Sequence, residues 1–372
     1  MKIGVLTFHG AHNYGSVLQA YATCRLLSKW GHDVQIINLR NQAQKDAYRI
    51  LKPIQSISSI PHRFFTLIIY PQLKTRFNHF ERFINKVLPI TEIEFRNSAQ
   101  LRDCIFDFDA FITGSDQVWN PSCQDFESAY FLDFVSKEKL RIAYAPSLGK
   151  ADMTSDNKYM IKNLLTNIDF VSCREIEGTK ILRGLTDKPV THVCDPVLTL
   201  KQDEWAKLAD RQTDIKEPYI LTYFLNNNHG DRNQVLKILH LLGYRIIALN
   251  EYIRDYANPA ISHRINSSPE QFLALVRNAA FVITNSFHAT AFSVIFKKPF
   301  YTMIAANQNV PNNNDSRKVD FLKLLGLESR LVPNKLNITH VDTNIDWESS
   351  YEKLNRFREK SLNYLQIALQ GK

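Results

Sequence analysis

Long apolar segments are lacking in this chain of 372 residues. The longest apolar run near the N-terminus, RFFTLIIY at residues 63–70, is far shorter than the roughly 18 residues that a membrane-spanning helix requires. Hydrophobic residues make up 44% of the chain and charged residues 22%, which is the composition of a soluble globular protein. Because the length exceeds that of one ordinary core, we expect two domains of comparable size.

Close pairs of cysteines are also lacking, because the five cysteines lie at residues 24, 104, 123, 173 and 194. This odd number and wide spacing argue against a cysteine-bound metal and a disulfide framework. We therefore expect reduced thiols that mostly fill the core. The start of the chain, MKIGVLTF, lacks the pattern of a secretory signal and predicts a first strand, so we expect a cytoplasmic protein.

The usual nucleotide-binding motifs are missing from the first loop, TFHGAHNYGSVLQAYA at residues 7–22. It has neither the lysine of a phosphate-binding loop nor the glycine spacing of a dinucleotide site. Ser16 can cap the helix that follows, and the free N–H groups of a helix start favour an anion. Two interpretations stay open, a tight structural turn and a phosphate or sugar site. The residues of that site would be Asn13, Tyr14, Gly15 and Ser16.

A formal net charge of +9 predicts an anionic partner without naming it. An anionic substrate, anionic lipid head groups and nucleic acid would each be attracted by such a field. Basic and aromatic residues alternate most densely at residues 61–86. This segment favours an amphipathic helix that packs one face on the core. Contact of its other face with a membrane surface is the second interpretation, and nucleic-acid binding is the third.

Strand and helix patterns alternate along the chain, which predicts parallel sheets covered by helices. In the first half, a helix pattern from Ser16 to Lys29 accompanies strand patterns at residues 2–8, 31–39, 108–116, 141–149 and 168–175. In the second half, helix patterns at residues 231–243 and 269–280 alternate with strand patterns at 218–226, 244–250 and 281–286. The sequence therefore predicts an α/β protein with two doubly wound halves.

The segment THVCDPVLTL, residues 191–200, separates these two series of elements. We predict a first domain over residues 1–195 and a second domain over residues 196–345. A helical pattern from Trp347 to about Leu369 lies in the remaining segment, residues 346–372. We expect this last helix to pack back on the first domain.

Polar side chains follow several predicted strands, where open α/β sheets present their chemistry. The loop TGSDQVWNP, residues 113–121, offers a set suited to sugar hydroxyls and ring stacking, namely Ser115, Asp116, Gln117 and Trp119. An Asx-type turn with a buried tryptophan is the alternative interpretation. Arg174 directly follows an apolar strand, and its planar fork fits a phosphate or a carboxylate. His288 lies between a strand and a helix beside Asn285 and Ser286, which makes it a candidate acid or base.

Seven segments in order carry a resemblance to a known family: NYGSVLQAYA, GSDQVWN, YAPSLG, SCRE, DPVLTL, SFHATAFSVIFKKPF and SRKVDFLKLLGL. Together they resemble the polysaccharide pyruvyl transferase family over nearly the whole chain. The resemblance implies two Rossmann-like domains facing a cleft, the GT-B-like arrangement of many glycosyltransferases. It also implies transfer of pyruvate from phosphoenolpyruvate onto two hydroxyls of a sugar, as a cyclic ketal, in a precursor of an exopolysaccharide or capsule. No metal and no cofactor are implied.

The resemblance also implies roles for individual residues. Arg174 and His288 match the family's arginine and histidine around phosphoenolpyruvate, and the third basic residue is Arg317 or Lys318, of which we prefer Arg317. Ser286 stands where well-studied relatives have an arginine. The predicted phosphoenolpyruvate site is therefore Arg174, Asn285, Ser286, His288, Arg317 and Lys318. The predicted acceptor site in the first domain is Asn13, Tyr14, Gly15, Ser16, Ser115, Asp116, Gln117 and Trp119.

The chemistry of phosphoenolpyruvate fits these residues, because its phosphate and carboxylate call for clustered cations. His288 suits the acid that protonates the methylene carbon, and Asp116 is the candidate that orients or deprotonates the sugar hydroxyl. We expect a lipid-linked or nucleotide-linked sugar acceptor, no nucleic acid, and peripheral contact with the inner membrane face. The alternatives are a nucleotide-sugar glycosyltransferase and a non-catalytic glycan-binding protein.

Overall fold

The computed structural model describes residues 1–53, 60–149, 153–209, 215–225, 235–238, 241–250, 252–304, 316–333 and 339–371. Strands and helices alternate through these residues, as the sequence pattern predicts. The helix predicted at residues 231–243 lies partly outside the described residues, and the backbone is helical at 235–238 and 241–242. None of the described helices is long and apolar enough to cross a membrane.

The first sheet is parallel and has the strand order β2-β1-β3-β4. Its strands are β1 (Lys2–Leu6), β2 (Asp33–Ile36), β3 (Ala110–Thr113) and β4 (Leu140–Ala143). A further parallel pair, β5 (Val171–Cys173) and β6 (Val190–His192), continues beyond β4 through the bridge between Ile142 and Phe170. Every residue of β3 is buried, which explains its unbroken apolar sequence, because helices cover both faces of such a sheet.

Eight helices accompany the strands of this first part within the described residues. They are α1 (Tyr14–Lys29), α2 (Gln42–Ala47), α3 (Ile60–Ile68), α4 (Tyr70–Lys86), α5 (Ser98–Arg102), α6 (Ser155–Leu165), α7 (Ile176–Arg183) and α8 (Gln202–Leu208). Helix α1 begins two residues before the predicted Ser16, because the Asn13 side chain accepts hydrogen bonds from the amides of Gly15 and Ser16. Asn13, and not Ser16, is therefore the N-cap of α1.

The second sheet is also parallel and has the strand order β12-β11-β10-β7-β8-β9. Its strands are β7 (Tyr219–Tyr223), β8 (Arg245–Ala248), β9 (Ile261–His263), β10 (Phe281–Thr284), β11 (Phe300–Ile304) and β12 (Leu331–Pro333). The accompanying helices are α9 (Pro269–Asn278), α10 (Phe287–Ile295), α11 (Ser316–Leu325) and the long C-terminal α12 (Trp347–Leu369). A capping box of Ser268 and Gln271 fixes the start of α9.

Apolar packing joins a helix of the first sheet directly to a helix of the second sheet. The ring of Tyr14 in α1 stacks on Phe272 in α9, with 4.5 Å between centroids and 7° between planes. The Tyr14 hydroxyl also donates a hydrogen bond to the carbonyl of Ser267, at 2.9 Å. A stacked aromatic pair with a satisfied hydroxyl fixes both the separation and the orientation of the two helices.

The C-terminal helix α12 contacts the first sheet. The Ser361 hydroxyl accepts a hydrogen bond from the Cys194 amide at 2.8 Å, and the Tyr364 hydroxyl donates to the Ala143 carbonyl at 3.0 Å. The strands of the first sheet and its extension lie within residues 2–192, and those of the second lie within residues 219–333. The domain limits at residues 195 and 345 stay a prediction.

All five cysteines are free thiols within the described residues. Cys24, Cys173 and Cys194 are buried, and burial raises the pKa of each thiol above its usual range. These three therefore fill the core as neutral groups.

Candidate functional site

The strand orders place a topological switch point in each sheet. In the first sheet, β2 and β3 lie on opposite sides of β1, so a crevice forms where the loops after β1 and β3 diverge. In the second sheet, β8 and β10 lie on opposite sides of β7, and the loops after β7 and β10 form the second crevice. The predicted site residues at 13–16, 115–119 and 285–288 lie in these loops or in the first turn of the helix that follows.

His288 comes from the second sheet and lies directly on the first turn of α1. A Cβ atom built on Gly15 would lie 2.0 Å from Nδ1 of His288, which is closer than any real contact. Glycine at position 15 is therefore required for the imidazole to reach this position. The His288 residue is only 8% exposed, and Ser286 caps its helix by accepting a hydrogen bond from the Ala289 amide.

Arg174 lies at the end of β5 with its guanidinium almost sealed from solvent. Its Nη1 donates a hydrogen bond to Asp195, its Nε lies 3.4 Å from Glu175, and its Nη2 lies 3.9 Å from Asp116. Burial disfavours the charged form of Arg174. The negative charges of Asp195 and Glu175 together have the larger effect, so the pKa of Arg174 is raised. The ring of Phe287 faces the guanidinium carbon at 5.1 Å, which further fixes its orientation.

Asp195 joins this arginine to the histidine. Its Oδ2 lies 3.3 Å from Nε2 of His288 and also accepts the hydrogen bond of Arg174. Burial disfavours the Asp195 carboxylate, yet the charges of His288 and Arg174 prevail and lower its pKa. Its Oδ1 accepts from the Val197 amide at 3.0 Å. Sequence reasoning gave Asp195 no role, although it stands in the DPVLTL segment that contributed to the family resemblance.

Arg317 lies in the first turn of α11 and shares a small cavity with Arg174, Asp195 and Phe287. Burial and the positive charge of Arg174 lower the pKa of Arg317. Two arginines within reach of each other repel unless an anion lies between them. The family resemblance implies this pair of cations, and their contact with a donor stays a prediction.

Three buried nitrogen atoms at this site have no hydrogen-bond partner within the described part of the chain. They are Nη2 of Arg174, Nε2 of His288 and Nε of Arg317. His288 Nε2 is within ion-pair distance of Asp195 but is not aligned for a hydrogen bond. Because an unpaired buried donor is costly, three of them together indicate a place for an anionic ligand.

Lys318 has a different position from its neighbour Arg317. Its Nζ donates to the carbonyls of Asn285 and Met303, each at 3.0 Å, and the residue is 5% exposed. Lys318 therefore ties the loop after β10 to β11, which favours Arg317 as the ligand contact. Asn285 likewise holds a loop, because its Oδ1 accepts from the Leu225 amide at 2.8 Å.

Asp116 connects the loops after β1, β3 and β5. Its Oδ2 accepts a hydrogen bond from the Ser16 hydroxyl at 2.6 Å, and its Oδ1 accepts from the Gln117 amide at 2.9 Å. The backbone of Asp116 is left-handed, with φ of 68°, and the residue is 9% exposed. With both oxygens engaged, its geometry suits orientation of a neighbouring group better than removal of a proton.

Three of the predicted acceptor residues have fully buried side chains, and their role in acceptor binding stays a prediction. Trp119 is fully buried, stacks on Phe131 at 4.6 Å between centroids, and donates from Nε1 to the Tyr130 carbonyl. Tyr14 is fully buried in its stack on helix α9. Ser115 is fully buried, and its hydroxyl donates to the Ala145 carbonyl at 3.0 Å. Each of these side chains thus packs beneath, or is bonded to, the loop or helix turn that carries it.

A larger cavity, of about 560 Å³, lies between residues 12–77, which accompany the first sheet, and the loops after β7 and β8 in the second sheet. The loop after β1 contributes His12 and Asn13 to its wall. Sequence reasoning missed His12, whose Nε2 lies 2.7 Å from Glu81, while Arg40 contacts the same carboxylate at 2.6 Å. The imidazole stacks on Phe80, with 19° between planes, which fixes its orientation.

Solved structures of other proteins share this architecture. Over 100% of both chains, it resembles Methanocaldococcus jannaschii UDP-GlcNAc 2-epimerase in complex with UDP-GlcNAc and UDP, at 13% identity and a TM-score of 0.53. Staphylococcus aureus MnaA bound to UDP is 10% identical over 97% of this chain and 90% of that one, with a TM-score of 0.52. Rickettsia bellii UDP-N-acetylglucosamine 2-epimerase is 11% identical over 100% and 96%, with a TM-score of 0.50. These likenesses confirm the predicted fold of two Rossmann-like domains in a GT-B-like arrangement.

The sequence itself identifies the family. Residues 13–306 match the sequence model of the family described as polysaccharide pyruvyl transferase. The chain belongs to that family, which confirms the resemblance seen in its motifs. The match begins at Asn13, continues past His288, and ends before Arg317. No curated protein sequence matches the chain.

The burial of Trp119 predicts a loss of stability when its ring is removed. Trp119→Ala should lower the free energy of unfolding by about 3 to 5 kcal/mol, because a large cavity replaces a stacked ring. Trp119→Phe, the matched control, keeps the stack on Phe131 and should cost less. Chemical denaturation of the three proteins measures the difference. A Trp119→Ala protein as stable as the wild type would return the residue to the acceptor site.

The Glu81 carboxylate predicts a pH dependence of stability. Burial opposes its ionisation, but hydrogen bonds from His12 and Arg40 prevail and lower its pKa from 4.5 to about 2. A lowered pKa contributes stability that is present above pH 4.5 and is lost as the pH falls towards 2. The free energy of unfolding of Glu81→Gln should therefore fall less between pH 4.5 and 2 than that of the wild type. Glu138 is exposed, and Glu138→Gln should lose as much stability as the wild type over this range. Denaturation curves across this pH range test the difference, and equal acid sensitivity of Glu81→Gln and wild type would contradict it.

Proposed function

We propose that this protein transfers pyruvate from phosphoenolpyruvate onto two hydroxyls of a sugar and forms a cyclic ketal. The observation that carries the proposal is a set of three buried nitrogens that make no hydrogen bond within the described residues, on Arg174, His288 and Arg317. Arg174 and Arg317 share a cavity with Asp195, and His288 lies 3.3 Å from that carboxylate. Phosphoenolpyruvate presents a phosphate and a carboxylate on one small frame, so it can accept from all three. The family membership of the chain supports the same reaction class.

Arg174 and Arg317 bind the donor in this proposal. The guanidinium of Arg174 is already held by Asp195 on one side and faces Phe287, which leaves Nη2, 3.9 Å from Asp116 and without a hydrogen bond, to donate to an anionic oxygen. An incoming anion would also offset the burial and the positive charge of Arg174, which together lower the pKa of Arg317. Charge-assisted hydrogen bonds from both arginines would orient the enol phosphate without a metal ion.

His288 acts as the acid. Its proton goes to the methylene carbon of the donor, which becomes a methyl group, while a sugar oxygen attacks the adjacent carbon. The bond from that carbon to the phosphate oxygen then breaks, phosphate leaves with the electron pair, and the second hydroxyl oxygen attacks the same carbon to close the ketal. Of the two protons that the hydroxyls release, one passes to the departing phosphate and the other restores the protonated His288. Asp195, 3.3 Å from Nε2, stabilises the protonated imidazole and keeps its ring in place. Asp195 is thus a positioning residue.

The acceptor binds on the side of the first sheet in this proposal. The loop residues that keep some exposure there are Asn13 and Gln117, with Asp116 and Ser16 behind them. Asp116 would orient the attacking hydroxyl through the hydrogen-bonded turn that it already forms. The reaction would modify a precursor of an exopolysaccharide or capsule in the cytoplasm, with the protein at the inner face of the membrane.

Substitution of Arg174 tests the donor site. Arg174→Lys should weaken phosphoenolpyruvate binding by about tenfold or more, because a point charge replaces a fork that donates in two directions. Arg25→Lys, an exposed arginine in α1, is the matched control and should bind as the wild type does. Isothermal titration with phosphoenolpyruvate measures both affinities. An unchanged affinity in Arg174→Lys would remove the residue from the site, and a wild type that binds only sugar nucleotides would favour a glycosyltransferase.

Substitution of His288 tests the acid. His288→Ala should lower turnover at saturating phosphoenolpyruvate by about 10² to 10⁴, and His288→Gln should do nearly as badly, since an amide cannot deliver the proton. Phosphate release with a panel of lipid-linked and nucleotide-linked sugars measures turnover, and His340→Gln, an exposed position, is the control.

Thermal stability of the same variants separates the other roles of His288. A Gln variant as active as the wild type would leave His288 as a binding residue only. A lowered melting temperature with normal specific activity in the folded fraction would make it a packing residue. Phosphate release that needs no sugar would contradict the transfer reaction itself.

A further inference from the structure

The first sugar hydroxyl of the proposed reaction has no partner for its proton at the moment of attack. His288 gives a proton to the donor in this step and cannot take one at the same time. Asp116 is a poor base, because its two oxygens already accept hydrogen bonds from the Ser16 hydroxyl and the Gln117 amide. A second side chain with a free lone pair on the acceptor side would fill this role.

His12, in the loop after β1, has a ring that is fixed on three sides. The imidazole stacks on Phe80 with 5.3 Å between centroids, and it meets Phe77 edge-on with 4.6 Å between centroids. Its Nε2 lies 2.7 Å from Oε1 of Glu81, and the residue is 9% exposed. Two aromatic rings and one carboxylate therefore hold the imidazole in a single orientation.

The contact with Glu81 decides which nitrogen of His12 carries the proton. Burial disfavours the Glu81 carboxylate, but hydrogen bonds from His12 and Arg40 prevail and lower its pKa to about 2. A carboxylate only accepts hydrogen bonds, so Nε2 of His12 donates to it. A neutral imidazole that is protonated on Nε2 has its lone pair on Nδ1. This Nδ1 makes no hydrogen bond within the residues that the structure describes, so it can accept a proton from a ligand.

The larger cavity connects His12 with the proposed reaction centre. His12 and Leu225 both line the cavity, whose volume of about 560 Å³ admits a sugar. Gly15 lies three residues beyond His12, hence within about 11 Å of it, and leaves room for His288. The Leu225 amide donates to Oδ1 of Asn285, three residues before His288. The cavity wall is thus joined to the loop of His288 on both sides, and a sugar in the cavity can lie between the two imidazoles.

We propose that His12 is the base that removes the proton of the first attacking hydroxyl, with Glu81 as the residue that positions it. The proposal rests on the proposed function, since it names a second reacting group for that reaction. As the sugar oxygen bonds to the donor carbon, its O–H bond breaks and the proton goes to Nδ1 of His12. Glu81 stabilises the imidazolium that forms. His12 then gives this proton up, by way of solvent, to the departing phosphate, so the proton balance of the reaction is unchanged.

Rescue of a variant by an added base tests His12. His12→Ala should lower phosphate release at saturating phosphoenolpyruvate and sugar by about 10² to 10⁴, whereas its affinity for phosphoenolpyruvate should equal that of the wild type. Added imidazole should restore part of the rate, because the cavity is large enough for a small base. Added 1,2,4-triazole, a weaker base of the same size, should restore less. His62→Ala removes an exposed imidazole from the same cavity wall, and this control should keep the wild-type rate.

The outcomes of this rescue separate the base from other roles. A His12→Ala rate within about threefold of the wild type, or a low rate that imidazole does not raise, would overturn the assignment. Equal rescue by imidazole and triazole would overturn it as well, since filled space would then be enough. A wild type that releases no phosphate with any sugar would overturn the proposed function, and the role of His12 with it.

The position of the proton on His12 is tested without any substrate. In protein labelled with ¹⁵N-histidine, the ring signals that disappear in His12→Gln belong to His12. Their nitrogen shifts should show a neutral ring with a proton on Nε2 and none on Nδ1. Glu81→Gln should add the other tautomer, because an amide donates as well as accepts. A wild-type ring protonated on Nδ1 would overturn the role of His12 as a base, and an unchanged tautomer in Glu81→Gln would overturn the role of Glu81.

Discussion

The Asp195 carboxylate is the group on which the rest of the site depends. It is fully buried, accepts a hydrogen bond from Arg174 and lies 3.3 Å from His288, which belongs to the second sheet. A buried carboxylate with cations on two sides is stable only while both remain, so it couples the position of each to the other. One carboxylate thereby fixes the positions of the arginine proposed to bind the donor and of the histidine proposed to protonate it.

A second constraint is the contact between Gly15 and His288. A hydrogen atom in place of a side chain lets an imidazole from one sheet lie on the first turn of a helix from the other. The stacked rings of Tyr14 and Phe272 hold the same helix at that distance. Tyr14, which fixes the separation of the two sheets, is the direct neighbour of Gly15, which leaves room for the imidazole of His288. One helix turn thus serves both the stability of the protein and its proposed reaction centre.

The sequence could predict the features that repeat or that stand at strand ends. Alternation of apolar runs and helices predicted parallel sheets, and the positions of Arg174 and His288 beyond strands made them candidate site residues, since strand ends present the chemistry of such sheets. Arg317 came from the family resemblance alone. It could not predict that Trp119 and Tyr14 are sealed inside, because a ring at a strand end looks the same whether it faces a ligand or packs beneath its loop. Asp195 was equally hidden, as its partners are distant in sequence. The larger, arginine-lined cavity combines residues of the basic segment 61–86 with residues of distant segments, and only packing brings these segments together.

The return of α12 to the first sheet has a mechanical consequence. The chain passes from the first sheet to the second once, near residue 200, and comes back through Ser361 and Tyr364, which bond to Cys194 and Ala143. The two sheets are therefore connected at two places, by the chain near residue 200 and by the contacts of α12. A second connection restricts the directions in which one half can rotate relative to the other, and so helps to keep His288 above Gly15.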